Sequence, residues 1–159
     1  MARLLLLFAL CVLPTLVYAV GVSRPFVISG RVYCDTCRCG FETPATQYIA
    51  GAKVKIECKD RNSLQVVFST YGETDSSGTY EIVVEDDHGD EICNAVLVSS
   101  PISDCKSADG GRSQATVILT RSNGAISDLH YANSMGYMKD QPLPGCAELL
   151  KIYQLDGDE

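Results

Sequence analysis

The 159-residue chain contains no tryptophan, only two histidines, and 13 lysines and arginines against 20 acidic residues. The basic residues form no cluster, and the net charge of −7 argues against binding to nucleic acid or to an anionic membrane surface. No asparagine begins an N-glycosylation motif. The nucleophile elbow, the zinc-protease motif, the phosphate-binding loop and the dinucleotide fingerprint are also absent. These absences predict a protein that is not an enzyme and that uses no cofactor.

Long hydrophobic runs are also absent, except at the start of the chain. Residues 4–13 are apolar, follow Arg3 and precede Pro14, and the small residue Ala19 comes soon after. This arrangement is typical of a secretory signal peptide cleaved after residue 19, and the run is too short to anchor the chain in a bilayer. The sequence therefore predicts a secreted domain over residues 20–159, without membrane insertion.

The mature sequence alternates between apolar and polar residues, as β-strands do. In residues 52–58, for example, Val54, Ile56 and Cys58 alternate with lysine and glutamate. A single all-β domain is predicted: an antiparallel β-barrel or sandwich of about six to seven strands, with one short C-terminal helix and a frayed acidic tail, 156–159. Predicted strands cover residues 26–33, 52–58, 64–70, 79–85, 93–99 and 114–120, and the helix covers 145–153.

Seven cysteines remain after removal of the signal peptide, and three of them lie within the stretch CDTCRC, residues 34–39. Zinc usually takes two close pairs of ligands, but the other cysteines are scattered and neither histidine has a partner at metal spacing. A redox dithiol usually opens a helix, which Gly40 and Pro44 make unfavourable here. Disulfides are the remaining interpretation, with one cysteine left over and 15 connectivities open for the other six. We therefore predict no metal site.

Five segments together carry a family resemblance: VISGRVYCDTCRCGFET, IAGAKVKIECKD, TDSSGTYEIVVEDDH, ICNAVLVSSPISDC and GYMKDQPLPGCAELL. In this order they resemble the Ole e I-like family of secreted plant proteins, typified by the olive major pollen allergen, from about residue 26 to residue 153. The resemblance implies an antiparallel β-barrel or sandwich with three disulfides. The implied pairs are Cys34–Cys105, Cys37–Cys146 and Cys58–Cys93.

Two residues depart from the family pattern. Cys39 stands where the family usually has a small residue other than cysteine, and Ala125 stands where the olive protein's glycosylation motif has threonine. For the unpaired Cys39, one interpretation is a thiol folded away at the end of a strand. The other is an intermolecular disulfide, giving a covalent dimer or a tether to a wall protein.

An acidic segment is the strongest local charge feature of the chain. Its members are Glu85, Asp86, Asp87, His88, Asp90 and Glu91. Clustered carboxylates can bind calcium, but the spacing lacks the alternating pattern of an EF-hand loop. A solvated loop between two strands explains the segment without a metal.

The resemblance implies a non-catalytic protein of the extracellular space or the cell wall, potentially allergenic, and linked to pollen germination, tube growth or related organ growth. We expect it to act by binding an extracellular protein, such as a receptor ectodomain, or a cell-wall component. A structural wall protein tethered through Cys39 is the second hypothesis. A hydrolase of wall glycans is the third, although no pair of carboxylates stands out for it.

Overall fold

The computed structural model describes residues 24–154. The predicted signal peptide and the acidic tail lie outside this part of the chain, so both stay predictions. No helix within residues 24–154 is long and apolar enough to cross a bilayer. The elements are β1 Phe26–Asp35, β2 Gln47–Tyr48, β3 Lys53–Asp60, β4 Val66–Glu73, β5 Thr79–Val84, β6 Glu91–Ser99, β7 Ser107–Ala108, β8 Gln114–Val117, β9 Leu129–Tyr131, β10 Met135–Met138 and α1 Cys146–Gln154.

Strand β1 is long enough to serve two sets of neighbours. Its first half pairs antiparallel with β5 and parallel with β9. Its second half pairs antiparallel with β2 and parallel with β10, whose other edge carries β7. Six strands thus form one sheet around β1, and residues 32–35 of that strand are all buried.

The second sheet has four strands in the order β4-β3-β6-β8, and all its pairings are antiparallel. Along β3 the side chains alternate strictly: Val54, Ile56 and Cys58 are fully buried, while the residues between them reach the outer face. This is the two-residue period of a half-buried strand. The outer face of this sheet is therefore polar and open.

The inner faces of the two sheets enclose one hydrophobic core, so the domain is a sandwich and not a closed barrel. Apolar residues of β1, β3, β5, β6, β8 and β10 fill it, and four cysteines of the disulfides lie among them. The largest fully buried side chains are Tyr33, Tyr80, Phe26, Ile28, Ile49, Ile56, Leu119 and Met135.

Two tyrosines of this core lie against glycines on neighbouring strands. Tyr80 of β5 stands opposite Gly30, and Tyr33 stands opposite Gly136 of β10. A Cβ atom at Gly30 would lie 2.6 Å from Cζ of Tyr80, and one at Gly136 would lie 2.7 Å from Cζ of Tyr33. Each glycine thus leaves the space that a buried ring occupies.

The predicted fold class is confirmed: each predicted strand overlaps one of the longer observed strands, and the predicted helix overlaps α1. The sequence TDSSGTY, residues 74–80, predicts an Asx-turn at Asp75 and a positive φ at Gly78. The structure has both: Asp75 accepts hydrogen bonds from the backbone N–H groups of Ser77 and Thr79, and Gly78 has φ 74°.

Four strands, β2, β7, β9 and β10, were not predicted. They are two to four residues long, too short for a period of two to be recognised. The parallel pairing of β9 and β10 with β1 also differs from the purely antiparallel expectation. It joins segments about a hundred residues apart, which local sequence patterns do not report.

Candidate functional site

Three disulfides cross-link the sandwich, and all six of their cysteines are at most 6% exposed. Two of the bonds hold the second half of the chain onto the end of β1, one through the loop after β6 and one through the first residue of α1. The third joins β3 to β6 inside the four-stranded sheet. The bonds are Cys34–Cys105, Cys37–Cys146 and Cys58–Cys93, with sequence separations of 71, 109 and 35 residues. Bonds over such separations restrict the unfolded chain strongly.

A buried carboxylate shapes the cysteine-rich loop that follows β1. Asp35 is 1% exposed, and its two oxygens accept hydrogen bonds from the backbone N–H groups of Cys37, at 3.1 Å, and Gly40, at 2.7 Å. These bonds supply the partners that a buried charge requires. Asp35 thus holds the loop in the turn that presents Cys37 to α1.

Arg38 fastens the same loop to the chain after β10. Its backbone is left-handed, with φ 55°, and its guanidinium group donates hydrogen bonds to the carbonyl oxygens of Lys139, at 2.7 Å, and Asp140, at 3.2 Å. The backbone N–H of Lys139 in turn donates to the carbonyl oxygen of Asp35. The motif CDTCRC, residues 34–39, is therefore a structural element that fixes the end of β1 to the later part of the chain.

Within residues 24–154, Cys39 is the cysteine without a disulfide partner, and it is half-buried. Its Sγ lies 3.3 Å from the carbonyl oxygen of Phe41 and 3.6 Å from the carboxylate of Asp35. Burial, together with that negative charge, raises the pKa of the Cys39 thiol. Because the thiolate is the form that attacks disulfides, this environment favours a thiol that is folded away.

The acidic segment does not act as one cluster of ligands. Asp87 is used within the loop: its carboxylate accepts hydrogen bonds from the backbone N–H groups of Gly89 and Arg121, both at 2.9 Å. The bond from Arg121 lowers the pKa of Asp87. Glu85, Asp86 and Asp90 are exposed. The segment is mainly a solvated loop, as predicted, with one exception at His88.

His88 is buried, although the sequence suggested a loop residue without a metal-ligating neighbour. Its ring packs on Phe68 with the centroids 4.5 Å apart, and its Nδ1 lies 2.5 Å from a carboxylate oxygen of Glu91. The donor atoms of His88, Glu91, Cys58 and Cys93 all lie within 4.8 Å of one another. Sequence spacing did not reveal this group, because Cys58 reaches it only through the pairing of β3 with β6.

The outer face of the four-stranded sheet carries both charged and apolar side chains that reach solvent. Glu57 forms ion pairs with both Lys55 and Lys59 along β3, and the hydrogen bond from Lys55 lowers the pKa of the Glu57 carboxyl. Across the strand pair, Tyr71 of β4 stands opposite Lys55. An aromatic ring thus lies beside the row of charged groups on this face.

One end of this face forms a groove of about 520 Å³. Tyr71, which is 64% exposed, and Val98, which is 48% exposed, line it together with Lys53, Gly72 and Glu73. Val98 lies on this face because its neighbour Leu97 packs against the core, and successive side chains of a strand point to opposite faces. The groove offers an aromatic ring, an aliphatic side chain and both signs of charge.

The sequence pattern predicts that Tyr137 lies near a strand end or loop, outside the core, and that Tyr153 is a core or half-buried residue, and both predictions are wrong. Tyr137 is a buried core residue of β10, and Tyr153 is 45% exposed on α1. Tyr131 is 78% exposed on β9, in the six-stranded sheet. Tyr71 and Tyr131 are thus exposed tyrosines on different sheets, and each is accessible to a binding partner.

Comparison with known proteins gives consistent matches over nearly the whole described chain. The model of the family described as "Pollen protein Ole e 1 like" matches residues 24–154. Protein DOWNSTREAM OF FLC from Arabidopsis thaliana is 56% identical over 153 residues, covering 96% of this chain and 93% of that protein. Pollen-specific protein C13 from Zea mays is 48% identical over 154 residues, covering 96% and 89%.

A solved structure agrees with the sequence matches. The crystal structure of the major plantain pollen allergen Pla l 1 superposes with a TM-score of 0.71 at 28% identity, covering 77% of this chain and 100% of that chain. None of these proteins has a name that denotes an enzyme.

Proposed function

The chain belongs to the pollen Ole e 1-like family, and we propose that it is an extracellular, non-enzymatic protein that acts by binding an extracellular protein, such as a receptor ectodomain, or a cell-wall component. The family and the three disulfides support an oxidising, extracellular location. We propose that this binding takes part in pollen germination, tube growth or related organ growth.

The groove around Tyr71 is the surface that carries this proposal. Side chains on a cross-linked sheet are held in place before a partner arrives, so little conformational freedom is lost on binding. Tyrosine contributes a large, rigid contact area with a polar tip, which is why it is frequent among the residues that dominate binding energy. Lys53 and Glu73, which are opposite each other in the ladder, supply charges at the rim.

The net charge of the chain favours one kind of partner over another. At −7 the protein repels acidic polymers, so an acidic wall polysaccharide is a poor partner. A neutral or basic extracellular protein is the better one, since complementary charge speeds association and excludes wrong partners.

The experiment is chemical cross-linking of the secreted, oxidised protein in pollen or growing tissue, identification of the captured protein by mass, and measurement of its affinity for the purified chain. We expect Tyr71→Ala to weaken binding by at least about 2 kcal/mol, or about thirtyfold. Tyr131→Ala, which removes an even more exposed ring from the other sheet, should bind as the parent does. Equal affinities for Tyr71→Ala and the parent would exclude the groove, and capture of no specific partner would count against binding altogether.

The second candidate function, a wall protein tethered through Cys39, is favoured only by the odd number of cysteines. Gels of the secreted protein with and without reductant test it, with Cys39→Ser as the matched control. A reductant-sensitive band above the monomer mass that disappears in Cys39→Ser would support the tether. From the half-buried thiol and its raised pKa, we expect the monomer mass in all lanes.

A further inference from the structure

Four side chains of ligand type converge between the β5–β6 loop and the centre of the four-stranded sheet. They belong to Cys58, His88, Glu91 and Cys93, and their donor atoms lie within 4.8 Å of one another. Two thiolates, an imidazole and a carboxylate form a donor set that suits tetrahedral zinc. In this structure the two sulfurs are bonded to each other, so the set is not free to bind a metal.

The backbone holds these residues together independently of the sulfur–sulfur bond. Cys58 and Cys93 are direct partners in the antiparallel ladder of β3 and β6. The backbone of His88 is fixed by a 2.7 Å hydrogen bond from its backbone N–H to the carbonyl oxygen of Leu119. Glu91 is fixed by a hydrogen bond from its backbone N–H to the carbonyl oxygen of His88. Cleavage of the disulfide therefore leaves two thiols side by side, next to the imidazole.

The imidazole has an unused ligand position. The His88 side chain is 8% exposed, and within residues 24–154 its Nε2 has no hydrogen-bond partner, while Nδ1 faces Glu91. A buried polar atom without a partner is unusual and calls for an explanation. A metal position beside the two cysteines supplies one.

Loop size singles out this disulfide among the three, and a cavity of about 130 Å³ lies beside it, with Cys93, His88 and Glu91 in its wall. The bond closes 35 residues, against 71 and 109 for the other two. By the chain-entropy model, the disulfide that closes the shortest loop stabilises the fold least. After this disulfide is cut, the other two still hold the second half of the chain onto the end of β1.

We propose that Cys58, Cys93, His88 and Glu91 form a redox-gated zinc site, closed by the disulfide and opened by a dithiol reductant. One thiolate of the dithiol attacks a sulfur of the Cys58–Cys93 bond and releases the other cysteine as a thiolate, and its second thiol then attacks the reductant's own sulfur in the mixed disulfide and releases the remaining cysteine. Two electrons pass to the two cysteine sulfurs, which take up two protons, and the reductant leaves as a cyclic disulfide. Zinc then displaces these two protons to solvent as it binds the thiolates. This site is independent of the proposed binding function.

The test uses the secreted protein, treated with limiting dithiothreitol, desalted without oxygen and titrated with Co²⁺ or Zn²⁺ alone. Alkylation followed by mass analysis shows which cysteines are reduced, and we expect Cys58 and Cys93 first. Reduced protein should bind one Co²⁺ with the visible bands of tetrahedral thiolate coordination, and one Zn²⁺ should displace it. Oxidised protein should show none of these bands.

Variants separate the site from loose binding by free thiols. His88→Ala and Glu91→Gln should each weaken Co²⁺ binding by at least about tenfold, while His130→Ala, which removes the other histidine, should not. Zinc should also protect Cys58 and Cys93 of the reduced parent from alkylation, a readout that does not depend on any variant folding. Equal Co²⁺ affinity in parent and His88→Ala, earlier reduction of another disulfide, or a reduced protein whose tertiary circular dichroism is lost and not restored by zinc would each overturn the proposal.

Discussion

Replacing Gly30 by alanine tests whether the ring of Tyr80 occupies the space that a side chain would need. The two residues are opposite each other in the β1–β5 ladder, and Tyr80 is fully buried. The new Cβ would lie 2.6 Å from Cζ and 3.0 Å from Cε1 of the ring, whereas carbon atoms normally approach to about 3.5 Å. Because a buried ring has little room to move, we expect the substitution to destabilise the protein.

Two opposing effects set the magnitude. Alanine in place of glycine inside a strand ordinarily stabilises by about 0.5–1 kcal/mol, because the unfolded chain has less freedom to lose. Forcing an extra carbon into a packed core costs about 1–3 kcal/mol, and an overlap of nearly 1 Å lies at the upper end. The expected net loss is about 2 kcal/mol in the free energy of unfolding. Denaturant titration of the oxidised protein should show it as a lower midpoint with an unchanged slope.

Two further variants isolate the contact. Gly110→Ala adds a Cβ with no atom within 4 Å, so its effect should stay within about 0.5 kcal/mol. In a Tyr80→Leu background the ring is gone, so Gly30→Ala should become neutral or stabilising there, which corresponds to a coupling energy of about 2 kcal/mol. A Gly30→Ala protein with a midpoint at or above that of the parent would refute the reasoning.

Three other substitutions test features on which the fold depends. Leu64 has φ 56° and is 61% exposed, so Leu64→Gly should relieve about 1 kcal/mol of backbone strain and raise the denaturant midpoint; a lower midpoint would contradict this. Asp35→Asn leaves one buried N–H of the loop without its acceptor and should cost about 1–3 kcal/mol; an unchanged free energy of unfolding would show that the carboxylate is dispensable. Burial raises the pKa of Tyr33 to about 12, above its unfolded value near 10, so the stability it contributes is full below pH 10 and is lost as the pH rises towards 12. That loss is roughly 1 kcal/mol at pH 11, and Tyr33→Phe should remove it; equal alkaline loss in both proteins would be the contrary result.

The long strands were predictable because their evidence is local. In β3 the period of two alone identified the inward face, and Val54, Ile56 and Cys58 are the residues found there. The turn with Asp75 and Gly78 was likewise predictable from residue type. The disulfide pairs came from the family resemblance, since spacing alone left 15 connectivities open.

The features that matter for the two proposals were not predictable in this way. Tyr71 is a groove residue because the pairing of β3 with both β4 and β6 brings it beside Val98. His88 was taken for a solvated loop residue because it stands in an acidic run, yet a hydrogen bond to Leu119 and the ring of Phe68 draw it into the protein. Both depend on residues that are distant in the chain.

The sequence by itself determined that this is a β protein and predicted its export to an oxidising extracellular space, because residue alternation is a local property and cysteine content is a property of composition. Only the tertiary structure decided which edges pair in parallel with β1, which face stays open, and which side chains meet Cys58 and Cys93. Those outcomes follow from packing two sheets around one core, where a contact depends on the register of several strands at once.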